Sequence, residues 1–236
     1  MDNLLKIEKR QDSTVILLQR PAKHNALNPS LLEDLRSAVL AAAPSLQLVI
    51  ASTSPIFCSG LDLVELQALW PEFNRLEEYF EMLHQLYKII YAHPAPTIAI
   101  VDKGAFGGGF GLACCCDLIL AHPETRFVLP GDRFGNLARL ARPPLVTKLV
   151  SLDLTATSPL EFTGQSAFIA GLCDSLIPLS LYSSFETFTA ILESRRENRL
   201  KQSSQEYFAR ICWQIKHLVL EDLDPSFPPS RWKESD

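Results

Sequence analysis

Leu4 to Leu18 alternates apolar and polar residues around Gln11-Asp12-Ser13, the period-two pattern of a β-hairpin. Arg20 to Asn25 is polar, contains Pro21 and reads as a loop. Asn28-Pro29 then opens a helix, because an Asn side chain accepts a first-turn N–H and proline has none to satisfy. Leu31, Leu35 and Val39 recur within it at helical spacing. Leu46 to Ala51 is a continuous apolar run, the pattern of a buried strand, and Ser54 to Gly60 reads as a turn out of it. Leu61 to Trp70 is helical until Pro71. Leu76, Phe80, Leu83, Tyr87 and Ile90 mark the apolar face of a longer helix that ends before Pro94. Thr97 to Val101 is a second buried strand, Gly104 to Gly111 a glycine-rich turn, and a short apolar helix runs on to Cys116. Leu118 to Ala121 and Arg126 to Leu129 are short strands. Beyond Arg139 the pattern is mainly helical. Ser158-Pro159 opens one helix, Gly171 closes another, and Ser204 to Leu220 is a last amphipathic helix with Tyr207, Phe208, Ile211, Ile215 and Leu218 on one side. Asp224 to Asp236, rich in proline and charge, reads as a loose tail.

Strands alternating with helices in the first half imply an α/β core. Periodicity does not separate a doubly wound sheet from a spiral of ββα units. The 236 residues are 47% hydrophobic, enough for one large core. A net charge of −5 makes no field that gathers nucleic acid or anionic lipid, so neither is expected as a partner. No apolar run approaches the ~20 residues of a membrane span, and Met1 to Arg10 lacks the apolar stretch of a signal peptide. A cytoplasmic protein is expected. None of the six cysteines forms a C-x-x-C pair, and the consecutive Cys114, Cys115 and Cys116 point in different directions on any regular element. They read as small buried apolar side chains in a reducing compartment, and no metal site is expected.

The chemistry-bearing feature is Gly104-Ala105-Phe106-Gly107-Gly108-Gly109, placed between a strand and a helix. Glycine is needed where backbone turns with positive φ or approaches a ligand closely. The spacing is not that of a dinucleotide fingerprint, and no Gly-Lys-Ser/Thr follows as in a phosphate loop. What remains is a helix start whose exposed N–H groups face a cleft and suit developing negative charge. A second segment, Phe57-Cys58-Ser59-Gly60-Leu61-Asp62-Leu63, also runs from strand to helix through a glycine.

These twin turns resemble those of the crotonase (enoyl-CoA hydratase/isomerase) superfamily. The resemblance extends to Arg20-Pro21-x-x-x-Asn25-Ala26-Leu27, to Ala99-Ile100-Val101-Asp102-Lys103 leading into the glycines, to Leu112-Ala113-x-x-Cys116-Asp117, and to Phe162-Thr163-Gly164-Gln165-x-Ala167-x-x-Ala170-Gly171-Leu172. It implies a crotonase-like spiral of ββα units over residues 1–178. A C-terminal helical layer over 179–223 would serve as oligomerisation or lid region, followed by a tail over 224–236. It implies a homotrimer or hexamer, and no cofactor beyond coenzyme A carried as part of the substrate. By motif position, the N–H groups of Leu61 and Gly108 would hold the thioester oxygen of an acyl-CoA, or of an acyl-carrier-protein thioester, as it becomes an enolate. Donors fixed in advance favour the transition state over the ground state. Coenzyme A would cross Lys23 to Ala26, with Lys23 and His24 near phosphate or adenine, and Leu61 to Val64. Ala26, Asp62, Leu63, Val64, Gly107 and Gly131 complete the expected binding residues. Asp62 also has the chemistry to cap the following helix.

Family hydratases resemble one another in two glutamates that activate water. The matching positions here are Gly111 and Gly131. General acid–base groups typically contribute 10²–10⁴-fold each, so water addition is not expected. Asp132 is the nearest substitute, as a base that shuttles a proton α to the thioester or as a solvated turn residue. Glu65, one helical step past the first turn, is another acid near the cleft. Arg133 and Arg139 suit a substrate carboxylate or a surface contact. His84 and His93, on and at the end of the long helix, read as structural. The functional readings are isomerase, decarboxylase or hydrolase chemistry in the oxyanion hole, an acyl-CoA-binding pseudoenzyme, and a hydratase whose glutamates lie elsewhere in the alignment.

Overall fold

The computed structural model describes residues 3–9, 13–42, 47–69, 71–129, 160–169 and 172–176. The hairpin is β1 (Leu5–Lys9) and β2 (Ser13–Leu18), antiparallel with Leu5 opposite Leu18. Next come α1 (Pro29–Ala41), β3 (Gln47–Ser52), β4 (Ile56–Cys58), α2 (Leu63–Leu69) and α3 (Phe73–Tyr91). Then follow β5 (Thr97–Val101), β6 (Gly104–Phe106), α4 (Gly108–Cys114), β7 (Leu118–Ala121) and β8 (Arg126–Leu129). The last described elements are β9 (Leu160–Thr163), α5 (Gly164–Ile169) and β10 (Ser175–Leu176). Asn28 caps α1 as its sequence implies, its Oδ1 accepting the Leu31 N–H at 3.0 Å.

One sheet has the order β1-β2-β3-β5-β7-β10 and the other β4-β6-β8-β9. β3, β5 and β7 lie parallel in the first sheet, and β4, β6 and β8 lie parallel in the second. Each turn of the chain therefore lays one strand in each sheet before it reaches a helix or the next turn. This is the ββα spiral. All four residues of β7 are buried, as expected of a parallel strand covered on both faces. The core between sheet and helices holds Ile16, Leu18, Leu48, Ile50, Leu31, Leu35 and Val39, all 0% exposed. Asp117 ties strand starts together, its Oδ2 accepting the Thr97 N–H at 2.8 Å and the Thr97 hydroxyl at 3.0 Å.

Several expectations change. Segments 54–60 and 104–111, read as turns, each contain a strand of the second sheet: Ile56 pairs with Gly104 and Cys58 with Ala105. Three residues are too few to display a period of two. The helix expected from Leu61 begins at Leu63, because Leu61 forms a bridge with Leu27. The helix expected to reach Cys116 ends at Cys114. The helix expected to open at Ser158-Pro159 is instead preceded by β9, antiparallel to β8 with Leu160 opposite Leu129, and α5 starts only at Gly164. Gly131, Asp132, Arg133, Arg139, Gly171, the C-terminal helical layer and the tail lie outside the described residues.

Candidate oxyanion site

The first turn leaves β4 at Cys58. The Ser59 N–H donates to His24 O at 3.0 Å, the Leu27 N–H to Gly60 O at 2.8 Å, and the Asp62 N–H to Leu27 O at 3.2 Å. A peptide is planar and trans, so with its carbonyl turned to Leu27 the Gly60–Leu61 unit aims the Leu61 N–H the other way. Among the described residues no acceptor meets that N–H. Gly60 has φ +97°, and a Cβ there would lie 2.8 Å from Phe106 O and 3.1 Å from Gly108 N.

Polar side chains hold this turn in place. Asn25, 0% exposed with φ 56°, receives the Arg20 N–H on Oδ1 at 2.7 Å. Its Nδ2 donates to Ser52 Oγ at 2.7 Å and to the carbonyls of Ile56 and Phe57 at 3.0 Å each. The Arg20 guanidinium donates to Asp62 Oδ2 at 2.7 Å and to Ala26 O at 2.9 Å. Asp62 Oδ1 accepts the N–H groups of Val64 and Glu65 at 3.1 and 3.4 Å. Asp62 is thus a buried helix cap, the structural alternative its sequence position allowed, with both oxygens bonded within the protein. The Tyr79 hydroxyl, from α3, donates to Leu27 O and receives the Asp62 N–H at 3.2 Å. Burial raises the Tyr79 pKa, so the phenol stays protonated. Burial likewise pushes the Cys58 thiol up to about 12, against the opposing Gly60 N–H, so Cys58 is no nucleophile at neutral pH. The other described cysteines, Cys114, Cys115, Cys116 and Cys173, are also buried and in no disulfide among the described residues.

The second turn is nearly all backbone. Gly107 has φ 49°, donates its N–H to Val128 O at 2.9 Å, and accepts the Gly111 N–H on its carbonyl at 3.0 Å. The Gly108 N–H, first in α4, therefore points out of the helix, and among the described residues nothing accepts it. Gly109 presses on the first turn so closely that a Cβ there would lie 2.2 Å from Cys58 O. A Cβ on Gly108 would stand 3.7 Å from both Gly60 Cα and Leu61 Cγ. The two turns touch, and among the described residues neither the Leu61 N–H nor the Gly108 N–H meets an acceptor.

Around them, Lys23 and His24 are exposed in a 3₁₀ turn, with His24 at φ 47°. The Ser59 hydroxyl donates to Lys23 O at 3.4 Å, which with the Ser59–His24 bond seats this loop against the first turn. Leu63 and Val64, 42% and 66% exposed, open α2 beside it, and Glu65 is half-buried in the same helical turn. Lys23, His24, Ala26, Leu61, Leu63, Val64, Gly107 and Gly108 thus share one region. His93 is bound into its own turn, Nδ1 lying 3.0 Å from Ala95 O. His84 is buried on α3, its pKa lowered by desolvation against the pull of Glu81. A separate groove of about 880 Å³ between α1 and α3 is lined by Glu33, Glu77, Glu78 and Glu81 with Arg36. Four carboxylates against one guanidinium make this groove a poor site for an anionic ligand.

Sequence reasoning missed the bracing tyrosines. Tyr87 reads as part of an apolar stripe, yet its hydroxyl donates to Gly108 O at 2.5 Å. The signal was present: a buried tyrosine needs an acceptor for its O–H.

A description of the enoyl-CoA hydratase/isomerase family matches residues 8–180. Enoyl-CoA hydratase domain-containing protein 3, mitochondrial, of Rattus norvegicus is 31% identical over 170 residues, which span 69% of this chain and 56% of the relative. The chain therefore spans little more than half the length of that relative. Crotonyl-CoA hydratase of Syntrophomonas wolfei is 30% identical over 183 residues, spanning 72% of this chain and 68% of the relative. Among solved structures, enoyl-CoA hydratase from Bacillus halodurans superposes with a TM-score of 0.74 at 20% identity, over 92% of this chain and 96% of that one. An enoyl-CoA hydratase from Mycobacterium avium superposes at 0.72 with 21% identity, over 94% and 93%. At such identities the superpositions establish the fold, which is the crotonase fold. With the family description covering most of its length and the twin turns in place, the chain belongs to the enoyl-CoA hydratase/isomerase family.

Proposed function

We propose that this chain binds an acyl thioester of coenzyme A, or of an acyl carrier protein, and stabilises its enolate between the N–H groups of Leu61 and Gly108. The observation that carries this is the contact of two turns, each with an N–H that no described residue accepts. Oxyanion donors of this kind are worth roughly 2.7–4 kcal/mol each, because the charge they meet forms only along the reaction. Lys23 and His24 would meet the phosphate or adenine end, and Leu63 and Val64 the apolar stretch of the thioester arm.

The chemistry we infer is double-bond isomerisation, decarboxylation or hydrolysis. Both positions where family hydratases resemble one another in glutamate are glycine, Gly111 and Gly131. Asp132 would be the base that moves the α-proton. The relatives named as hydratases favour a different reading, a hydratase with its acids elsewhere, and crotonyl-CoA decides it. The test is calorimetry with crotonyl-CoA and free coenzyme A, then turnover over a panel of acyl-CoA substrates followed by mass spectrometry. The expected result is acyl-CoA binding, no loss of enoyl absorbance with crotonyl-CoA, and turnover that Asp132→Asn lowers at least about tenfold with binding kept. Binding without turnover on any substrate would reduce the proposal to thioester recognition alone. Absence of binding would overturn it.

A further inference from the structure

We propose that Tyr87 is a positioning residue of the oxyanion site, and that its phenol fills the space in which a family hydratase would carry its first glutamate. This rests on the oxyanion reading above and deepens it. A Cβ built on Gly111 would lie 2.9 Å from Tyr87 Oη, 3.3 Å from Cζ and 3.4 Å from Cε2. Any side chain at that position starts inside contact distance of the ring, so glycine at 111 and tyrosine at 87 form one arrangement. The ring is 0% exposed and held in α3 among core residues, which leaves it little room to swing aside.

The phenol also acts on the turn. Its hydroxyl donates to Gly108 O at 2.5 Å. That carbonyl belongs to the peptide next to the one bearing the Gly108 N–H. Three consecutive glycines, 107 to 109, have no Cβ to restrain their backbone angles. The bond from Tyr87 supplies a restraint the glycines lack, at the donor whose direction sets the strength of the oxyanion interaction. Tyr79, two helical turns earlier on α3, does the same for the first turn through Leu27 and Asp62. One helix thus braces both donors. Burial raises the Tyr87 pKa well above the ordinary phenol value, so the group stays an O–H donor and acts through Gly108, not as a base.

The test uses a chromophoric dialkylaminocinnamoyl-CoA, whose absorption moves to the red as hydrogen bonds polarise its thioester carbonyl. Wild type shifts the band to the red. Tyr87→Phe is expected to lose half or more of that shift while its affinity for free coenzyme A stays within about threefold, since the nucleotide end is untouched. A full red shift in Tyr87→Phe overturns the proposal alone. No shift in wild type overturns the oxyanion reading together with it. Occupancy of the space is read separately, by melting. Gly111→Ala is expected to lower Tm more in wild type than in Tyr87→Phe, where the hydroxyl that the methyl meets is gone, and equal losses overturn this half. Should Tyr87→Phe fail to fold, Gly111→Ala in the wild-type chain, whose methyl would press on Tyr87 Oη at 2.9 Å, is expected to distort the bond to Gly108 O and weaken the red shift. An unchanged shift in that variant overturns the positioning role.

Discussion

The two glycine-bearing turns that meet at the candidate site are held in place with different materials. The first, Cys58 to Asp62, is fixed by side chains reaching in from elsewhere: Asn25, Arg20 and Tyr79 on one side, Asp62 on the other. The second, Phe106 to Gly109, is fixed by glycine backbone pressed against Cys58 O, with one phenol added. The difference lies in what each tolerates. A turn built from polar side chains fails when a partner is removed. A turn built from bare backbone fails when an atom is added.

The strongest test of that contrast is Gly109→Ala. Its methyl would lie 2.2 Å from a backbone oxygen that no rotamer change can move. Overpacking at a yielding site costs about 1–3 kcal/mol, and this site cannot yield, so a loss at or beyond ~3 kcal/mol is expected from the urea midpoint. An alanine tolerated there would break the comparison. Next comes Arg20→Met, which leaves the Asp62 carboxylate buried without its cation. Breaking such a pair costs 3–5 kcal/mol where burial is complete. Arg20 keeps 17% side-chain exposure and Asp62 keeps its bonds to α2, so about 3 kcal/mol is expected. Adding Asp62→Asn to that variant should recover part of the loss, because the uncompensated charge is gone while an oxygen remains for the cap.

Asn25→Ala should cost about 2 kcal/mol, from lost bonds to two strand carbonyls and a methyl residue held at positive φ. Asn25→Gly accepts the φ and loses only the bonds, so the difference between the two variants separates strain from hydrogen bonding. The smallest effect expected is on pH. His84 sits on α3 between the two bracing tyrosines, with its folded pKa lowered by burial. The unfolded chain then binds more protons than the folded one just below the ordinary histidine value. Stability is full above about pH 6.5 and falls as pH drops through that value toward the lower folded pKa. His84→Leu should flatten this slope in denaturation measured from pH 7 to pH 5. A slope unchanged by the substitution would assign it to carboxylates instead.

Much of this was legible in the chain. The hairpin, the Asn28-Pro29 cap, the long helix and the buried strands follow from period and capping chemistry, and all appear. β4 and β6 did not, because strands of three residues carry too little pattern to be told from the turns beside them. β9 was hidden for another reason: Ser-Pro is as good a start for a strand as for a helix, and only pairing with β8 decides. At the candidate site, the motif pointed to the two turns, and the structure sets Gly108 beside Gly60 and Leu61. Asp62 carried two chemistries, and the capping one is seen in its bonds to the start of α2. The tyrosines were invisible as site residues because an apolar stripe shows that a residue is buried and not what its hydroxyl meets.

The spiral has a kinetic consequence. Ile56 finds its partner at Gly104, and Gly104 finds its partner at Arg126, so the second sheet is made wholly of contacts distant in the chain. Parallel pairings of this kind form late and slowly, because loop closure precedes any return from contact. The touching of Gly109 on Cys58 needs two successive turns of the spiral to have docked. The donor pair would then be among the last things to assemble during refolding. A thioester dye that shifts colour only when both N–H groups converge would serve as a stopwatch for that final event.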